Sequence, residues 1–279
     1  MTRLFCSSHT LDLATPAVMG VLNLTPDSFW DGGRYGHSAD YLRQVEKMLN
    51  EGASIIDIGA VSTRPGAEVV GEEEEYRRLM PALEEIVRHF PSCIISVDTF
   101  RSQIGREAIE RGASMINDIY GGRFDDRMID TVAHYNVPYL IMHMKGTPAT
   151  MQDNPVYANV VAALTYFFEQ RLEACREKGV RQILIDPGFG FGKTLEQNFT
   201  LLSRLQEFKS MGLPVTVGLS RKSMICKLLN ISPSAALNGT TVLNTIALLN
   251  GADILRVHDV REAVEAVRLV GKMNEMQDA

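Results

Sequence analysis

The stretch ILIDPGFGFGKT, residues Ile183 to Thr194, decides the fold of this chain. A short apolar run, typical of a buried strand, ends abruptly at Asp186 and Pro187 and continues into three alternating glycines and Lys193. Glycine permits a close approach between the backbone and a ligand that a side chain would prevent. We therefore expect this strand to end in a binding site, with Asp186 at its mouth.

The same stretch looks like a nucleotide-binding loop, but its spacing fits neither common type. A Walker A loop that ends in Gly192 and Lys193 needs its first glycine at position 187, where the chain has Pro187. A Rossmann loop that starts with Gly188 and Gly190 needs its third glycine where Lys193 stands. A nucleotide-binding loop is therefore disfavoured.

Short apolar runs alternate with helical patterns along the whole chain. The candidate strands are Ala17–Leu22, Ser54–Ile58, Cys93–Val97, Ser114–Ile116, Pro138–Met142, Ile183–Ile185, Pro214–Val217 and Asp253–Val257. The helical patterns are Asp40–Asn50, Glu72–Phe90, Arg101–Glu110, Asp125–Tyr135, Tyr157–Lys178, Leu195–Lys209, Ser223–Leu249 with interruptions, and Val260–Met273. This alternation predicts a parallel sheet with right-handed crossovers. The predicted fold is an α/β (β/α)8 TIM barrel with residues 1–279 as a single domain, and a doubly wound open sheet is the alternative.

Composition limits the classes of function. The net charge of -6 and a pI near 5.6 argue against a nucleic-acid surface. Four scattered cysteines without a CxxC pair predict reduced thiols in the cytoplasm, and the N-terminal apolar run is too short for a signal peptide. The uncharged stretch Leu228–Ala252 contains Ser, Thr, Asn and Gly, which argue against a membrane span. We interpret part of it as a helix covered on both sides, at a subunit contact.

Polar residues follow the predicted strands. In a TIM barrel the carboxyl ends of the strands and the loops after them form the active face. A single Asp or Ser there is usually just the N-cap of the next helix, but capping does not explain so consistent a set. The residues at these positions are Asn23, Asp57, Asp98, Asn117, Asp118, His143, Asp186, Ser220 to Lys222, Arg256 and His258.

Arg256 and His258 are two residues apart in an extended segment, so their side chains project to the same side. Such a pair is expected to bind one anion. The alternative is that Arg256 pairs with a neighbouring carboxylate of the barrel.

Three other polar features have structural interpretations. His143, between two methionines, is typical of a core histidine with a satisfied hydrogen bond rather than a ligand. The acidic run Glu72–Glu75 fits a solvated first turn at the positive end of a helix dipole. Asp259 with Glu262 predicts a capping box at the start of the last helix.

Several motifs, taken in order, resemble those of the dihydropteroate synthase family. They are NLTPDSF, DGG, STRPG, SVDT, INDI, IMHMKG, DPGFGFGK, GLSRKS and RVHDV, and the resemblance covers about residues 18–267. It implies a TIM barrel and a transferase of folate biosynthesis. Such an enzyme joins the diphosphate of 6-hydroxymethyl-7,8-dihydropterin to 4-aminobenzoate, with Mg2+ assisting, and releases 7,8-dihydropteroate and diphosphate. The resemblance also implies a cytoplasmic homodimer that is a target of sulfonamides.

The resemblance assigns roles to particular residues. The pterin pocket is lined by Asp98, Asn117, Asp186 and Lys222. The diphosphate or its metal meets Asn23, Arg256 and His258, with Mg2+ on Asn23, and Lys222 joins these three as catalytic residues. The aminobenzoate side is formed by Thr63, Arg64, Pro65, Phe191 and Ser220.

Two loops, Asn23–Gly33 and Ala60–Gly66, carry departures from the family pattern. We expect both loops to act as lids over the barrel mouth, although surface connectors have the same composition. Val61 stands where the family usually has glutamate, and Trp30 where it has serine. These changes concern loop conformation and inhibitor sensitivity more than the reaction.

Two other functions stay open on the sequence. A corrinoid-linked methyltransferase domain has a similar pterin pocket but does not need STRPG or SRKS. A non-catalytic pterin-binding protein would need only the pocket. The presence of Asn23, Arg256, His258 and both loops favours the synthase.

Overall fold

The computed structural model describes residues 3–7, 9–24, 38–62, 70–151 and 155–276. The strands are β1 Arg3–Cys6, β2 His9–Asp12, β3 Ala17–Asn23, β4 Ile55–Gly59, β5 Ile94–Asp98, β6 Met115–Asp118, β7 Tyr139–Met142, β8 Ile183–Asp186, β9 Thr216–Val217 and β10 Ile254–Val257. The helices are α1 Ser38–Asn50, α2 Glu72–His89, α3 Ser102–Glu110, α4 Arg127–Tyr135, α5 Val160–Glu177, α6 Leu195–Ser203, α7 Ser223–Leu229, α8 Leu237–Leu249 and α9 Val260–Glu275. Short 3-10 segments follow α6, at Leu205–Met211, and α7, at Pro233–Ala235.

Strands β3 to β10 form one parallel sheet of eight strands in the order β8-β7-β6-β5-β4-β3-β10-β9. A bridge between Ile185 and Val215 joins the two outer strands and closes the sheet into a barrel. All eight predicted strands are present, and the predicted TIM barrel is confirmed. The open-sheet alternative is wrong. The strands read as nearly unbroken apolar runs because side chains on both faces are buried, inside the barrel or under the helices.

The lower barrel is filled with apolar side chains and covered by a hairpin. The hairpin strands β1 and β2 pair antiparallel and add Leu4, Cys6 and Leu11 to this cluster. Gln182 fastens the hairpin, because its side chain accepts from the Phe5 amide at 2.6 Å and donates to the Phe5 carbonyl at 3.0 Å. The barrel residues of the cluster are Met19, Ile55, Ile94, Met115, Leu140, Leu184 and Ile254. This apolar layer leaves the carboxyl end of the barrel as the face for a polar site.

The acidic run at the start of α2 differs from its prediction. Glu75 is fully buried, accepts from Thr99 Oγ1 at 2.7 Å and forms an ion pair with Arg101. Arg101 also donates to the carbonyl of Val70 at 2.7 Å. The prediction of a solvated first turn is therefore wrong for Glu75, because its side chain faces α3 rather than water.

Helix α8 is covered on one side only in the single chain. Leu243 is buried, whereas Val242, Ile246 and Leu249 are exposed by 49%, 36% and 53%. Among the described residues, no helix combines the length and apolar content needed to cross a membrane. The four cysteines are free thiols, as predicted.

Candidate active site

The glycine-rich turn after β8 packs against the loop after β7. Gly188 has a φ of +67°, and a Cβ there would lie 2.0 Å from the carbonyl oxygen of His143. Gly192 has a φ of +65°, and its Cβ would lie 2.6 Å from the carbonyl oxygen of Lys145. These two glycines therefore make room for a neighbouring backbone. The expectation that they make room for a ligand is wrong at both positions.

Lys193 lies inside this turn and holds it together. Its buried Nζ donates to the carbonyl oxygens of Gly188 at 2.8 Å, Phe191 at 3.0 Å and His143 at 3.3 Å. It also lies 3.0 Å from Nδ1 of His143. Burial and the Lys193 charge lower the pKa of His143 to about 2, so the ring is neutral and accepts this hydrogen bond. The interpretation of His143 as a core residue is confirmed, and Lys193 has a structural role.

A cavity opens at the carboxyl end of the barrel. Strands β5, β6, β8 and β10 and the turn after β9 each place a polar side chain in its wall. The polar and aromatic residues of the wall are Asp98, Asn117, Asp186, Phe189, Phe191, Lys222 and Arg256. All four residues predicted to line a pterin pocket therefore lie together, with Arg256 and Phe191 beside them.

Asp186 presents one of its two carboxylate oxygens to this cavity. Oδ1 accepts from the amide of Gly188 at 2.7 Å and thereby fixes the carboxylate at the end of β8. Oδ2 faces Gly218, where a Cβ would stand 3.9 Å away, and has no hydrogen-bond partner among the described residues. Burial raises the pKa of Asp186, which Gly188 and Lys222 partly oppose. A ligand with N–H donors would find an acceptor here.

Arg256 is paired with two carboxylates of the barrel. Its Nε donates to Asp57 Oδ2 at 2.7 Å, and its Nη2 donates to Asp98 Oδ2 at 2.8 Å. Asn117 Nδ2 donates to the same oxygen of Asp57 at 3.1 Å. Burial lowers the pKa of Arg256, but the charges of Asp57 and Asp98 raise it by more. The net shift is upward, so the guanidinium stays charged. The alternative interpretation, that Arg256 pairs with a neighbouring carboxylate of the barrel, is therefore confirmed.

Asp57 belongs to the predicted set of polar strand-end residues but has no assigned role there, and the structure places it at the centre of this network. It is fully buried, and its Oδ1 has no hydrogen-bond partner among the described residues. The indication in the sequence is a lone carboxylate inside the apolar run Ile55–Ile58. A buried charge of this kind requires a partner, and the partner is on a strand that is adjacent in space but remote in sequence.

Lys222 and Phe191 meet at one edge of the cavity. The Lys222 ammonium lies 4.2 Å from the centroid of the Phe191 ring, which is within the range of a cation–π contact. Burial and the Arg256 charge lower the pKa of Lys222 to about 8. The predicted pterin residue and the predicted aminobenzoate residue are therefore neighbours.

Ser220 and His258 form a second polar pair at the barrel rim. Ser220 Oγ accepts from the His258 amide at 3.2 Å and lies 3.0 Å from His258 Nδ1. His258 is exposed, whereas Arg256 points into the barrel. Asn23 ends β3 on the same face, opposite Gly59 of β4.

Part of the predicted site lies outside the described residues. Thr63, Arg64, Pro65 and Trp30 belong to this part, as do most of the two predicted lid loops. Val61 is described and is nearly buried in an apolar cluster with Phe100, Met142 and Phe191. A valine in this position is explained by its apolar surroundings.

Comparison with known proteins decides the family. The sequence profile of the pterin-binding enzyme family matches residues 19–258. The dihydropteroate synthase of Escherichia coli K12 is 46% identical over 270 residues, which is 96% of this chain and 95% of that protein. The Haemophilus influenzae dihydropteroate synthase is 43% identical and covers 96% of this chain and 97% of its own. This chain belongs to the dihydropteroate synthase family.

Solved structures of the dihydropteroate synthase family agree with the fold. A Yersinia pestis dihydropteroate synthase in a sulfonamide complex has a TM-score of 0.92 and 41% identity, covering 98% of this chain and 99% of that one. A Xanthomonas albilineans dihydropteroate synthase with 4-aminobenzoic acid has a TM-score of 0.91 and 39% identity, covering 98% of both chains. The chain is therefore an enzyme, a pterin-binding transferase of folate biosynthesis.

Proposed function

We propose that the barrel cavity is where 6-hydroxymethyl-7,8-dihydropterin diphosphate reacts with 4-aminobenzoate to give 7,8-dihydropteroate and diphosphate. One observation carries this assignment of the site. Asp98, Asn117, Asp186 and Lys222 come from separate parts of the chain and meet in one cavity at the mouth of the barrel. The positions of Asn23, Ser220 and His258 on the same face support the assignment.

In this proposal the pterin ring lies in the cavity and donates to Asp186. A pterin carries an amino group beside a ring N–H, and a carboxylate is the acceptor that matches two such donors. Asn117 is held by Asp57 and turns its amide toward the same space. Lys222, positioned over Phe191, supplies a donor for the acceptor atoms of the ring. This set would fix the orientation of the pterin before the reaction.

Departure of diphosphate leaves a methylene cation that is delocalised into the electron-rich dihydropterin ring. The barrier falls chiefly when the leaving anion is stabilised. Arg256 is already paired with two carboxylates, so we propose that it contributes directed N–H groups rather than a free charge. His258 at the rim is the second proposed donor to the diphosphate. Asp98 faces the cavity and would stabilise positive charge on the ring.

Magnesium fits the donors at this face. Among the described residues no cluster of three His, Cys, Asp or Glu side chains forms a metal cage. Asn23 offers a single amide oxygen at the end of β3. Magnesium usually combines one or two protein oxygens with substrate phosphates and water, which matches this sparse set. When bound, it would lower the charge on the leaving diphosphate.

The second substrate is an aromatic amine that is neutral at pH 7, so its attack needs no strong base. We propose Phe191 and Ser220 as the described part of its site, with Thr63, Arg64 and Pro65 completing it. A sulfonamide, which binds the Yersinia pestis relative, would occupy the same place. We also propose that pterin diphosphate binds before aminobenzoate.

We also propose a cytoplasmic homodimer. The adjacent helices α8 and α9 both leave apolar side chains in solvent, and a face of this kind is typical of a subunit contact. The exposed residues are Val242, Ile246, Leu249, Leu269 and Met273. Free thiols fit a reducing compartment.

The test combines turnover with pterin binding. Magnesium-dependent conversion of pterin diphosphate and labelled aminobenzoate into a pteroate is expected for the wild type. Asp186→Asn should weaken binding of a pterin analogue by roughly 2 to 4 kcal/mol, because a buried charged acceptor is removed. Calorimetry measures this loss.

The matched control is Asp130→Asn, the same chemical change at an exposed ion pair between Asp130 of α4 and Lys178, the residue after α5. It should leave pterin affinity unchanged. A pterin-binding protein or a methyltransferase would bind the analogue without consuming aminobenzoate. Unchanged affinity in Asp186→Asn would remove this residue from the site.

A further inference from the structure

The turn between β9 and α7 contains an arginine in an unusual conformation. Arg221 has a φ of +55°, in the left-handed region that residues other than glycine seldom adopt. Its neighbours Ser220 and Lys222 point toward the rim and the cavity. The side chain of Arg221 extends the other way, to Asp259 and the 3-10 segment after α7. The backbone strain here must be offset by contacts that fix this turn.

Those contacts involve the whole guanidinium group. Nε and Nη2 donate to the two oxygens of Asp259 at 2.9 and 2.8 Å, which is the bidentate geometry of a strong charged pair. Nη1 donates to the carbonyl oxygens of Pro233 at 2.8 Å and Ser234 at 3.1 Å. The backbone amide of Arg221 donates to Thr240 Oγ1 at 3.0 Å. The turn is therefore tied to three separate segments.

Asp259 is the residue after His258, so this pair links the same two turns as the contact between Ser220 and His258. Asp259 does not use its carboxylate as a helix cap, because the N-terminus of α9 has no side-chain cap there. The predicted capping box of Asp259 and Glu262 is thus wrong. The carboxylate is taken by a stronger, bidentate donor.

We propose that Arg221 and Asp259 are positioning residues, which hold Ser220 and His258 in register so that the two anionic groups of the substrates are bound side by side. This inference rests on the proposed function, in which Ser220 meets aminobenzoate and His258 meets the diphosphate. The pterin ring depends mainly on Asp186 and Asn117, which the pair does not touch, and only in part on Lys222, the residue after Arg221.

The test separates these two halves of the site. In the full chain, Arg221→Lys keeps the charge but loses the bidentate geometry, and Asp259→Asn keeps the shape but loses the charge. Each variant should raise the KM of pterin diphosphate and of 4-aminobenzoate at least tenfold. The Kd of 6-hydroxymethylpterin, which lacks the diphosphate, should change by less than threefold. The double variant should be no worse than Arg221→Lys alone, because both substitutions disrupt the same ion pair between Arg221 and Asp259.

Arg204→Lys is the matched control. Arg204 makes the same bidentate contact with Glu207, at 2.5 and 2.8 Å, but on the outer surface after α6. It should leave both KM values within twofold of the wild type.

Two results would overturn the inference. In the first, Arg221→Lys and Asp259→Asn lower the melting temperature while both KM values stay within twofold, which is a purely structural role. In the second, Arg221→Gly relieves the left-handed backbone strain and keeps both KM values at the wild-type level, although the guanidinium is gone. A wild type that binds 6-hydroxymethylpterin but forms no pteroate would overturn the proposed function as well, and is distinguishable from both.

Discussion

Lys193 follows Gly192 as the lysine of a Walker A loop would, but the spacing disfavours such a loop, and the hydrogen bonds of Lys193 are directed inward. A lysine ammonium has three donors, and four acceptors surround this one: two carbonyl oxygens of the turn, and the carbonyl oxygen and Nδ1 of His143. Burial holds the pKa of Lys193 well below its usual value. This lysine therefore stabilises the turn instead of binding a phosphate, which agrees with the failure of the sequence to match the Walker A spacing.

Lys193→Met should lower the free energy of unfolding by about 2 to 4 kcal/mol, because several buried carbonyl oxygens lose their donor. Urea unfolding measures the change. Lys178→Met, which removes an exposed lysine paired with Asp130, should cost below about 1 kcal/mol. If Lys193→Met instead left stability unchanged and raised only the KM of pterin diphosphate, the lysine would be a phosphate ligand after all.

Single residues show how far the sequence predicts the site. Strand-end position predicted that Asp98, Asn117, Asp186 and Arg256 would meet, and they do. It did not separate them from Asp118, which accepts from two amides of its own turn and from Tyr139 OH. The pairing of two side chains depends on rotamers and on which strands are neighbours, and neither is contained in local spacing.

The start of α2 is an element whose role is visible only in three dimensions. Arg101 on the turn before α3 joins Glu75 of α2 to the carbonyl of Val70. Arg78, one turn further along α2, donates to the carbonyl of Ala60 at 3.4 Å. Helix α2 therefore contacts the backbone of Ala60 directly and that of Val70 through Arg101.

Arg101→Met should destabilise the protein by roughly 3 to 5 kcal/mol, because Glu75 would stay buried without its countercharge. Thermal unfolding provides the measurement. The double variant Arg101→Met, Glu75→Leu should recover most of the loss, since an apolar pair of similar volume replaces the ion pair. Arg176→Met, at an exposed pair with Glu173, serves as the control and should change little. An equally unstable double variant would show that the charges themselves are needed.

Helices and strands with a clear hydrophobic periodicity were predicted well, and short elements were not. The hairpin of β1 and β2 was missed because each strand has four residues and too few apolar positions to show alternation. The pattern Leu195–Lys209 was predicted as one helix, but α6 ends at Ser203 and a 3-10 segment follows. Such boundaries are set by packing against neighbours rather than by propensity.

The whole barrel is divided between an apolar lower half and a polar mouth. Repetition of strand and helix was enough to predict this architecture, because a closed parallel sheet buries every strand on both faces. The depth at which polar residues begin was not predictable. Asp57, Ser96 and Thr216 lie fully buried inside the barrel, well below the rim residue His258.

The barrel is least continuous between β8 and β9. Strand β9 has only two residues, and Ile185 reaches it through one bridge and one hydrogen bond to the Pro214 carbonyl, at 3.1 Å. By contrast, β4 pairs with β5 over five residues. Local opening of a fold starts where its ladders are shortest. In hydrogen-exchange experiments we expect the Ile185 amide to exchange at least tenfold faster than amides of β4, and equal rates would contradict this.

This seam runs between Asp186 on one side and the turn of Ser220 to Lys222 on the other. A pterin that contacts both sides would bridge the gap and suppress local opening of the barrel there. Ligand binding should therefore slow exchange at Ile185 more than in the rest of the sheet. The first substrate would thus finish the wall against which the second one docks.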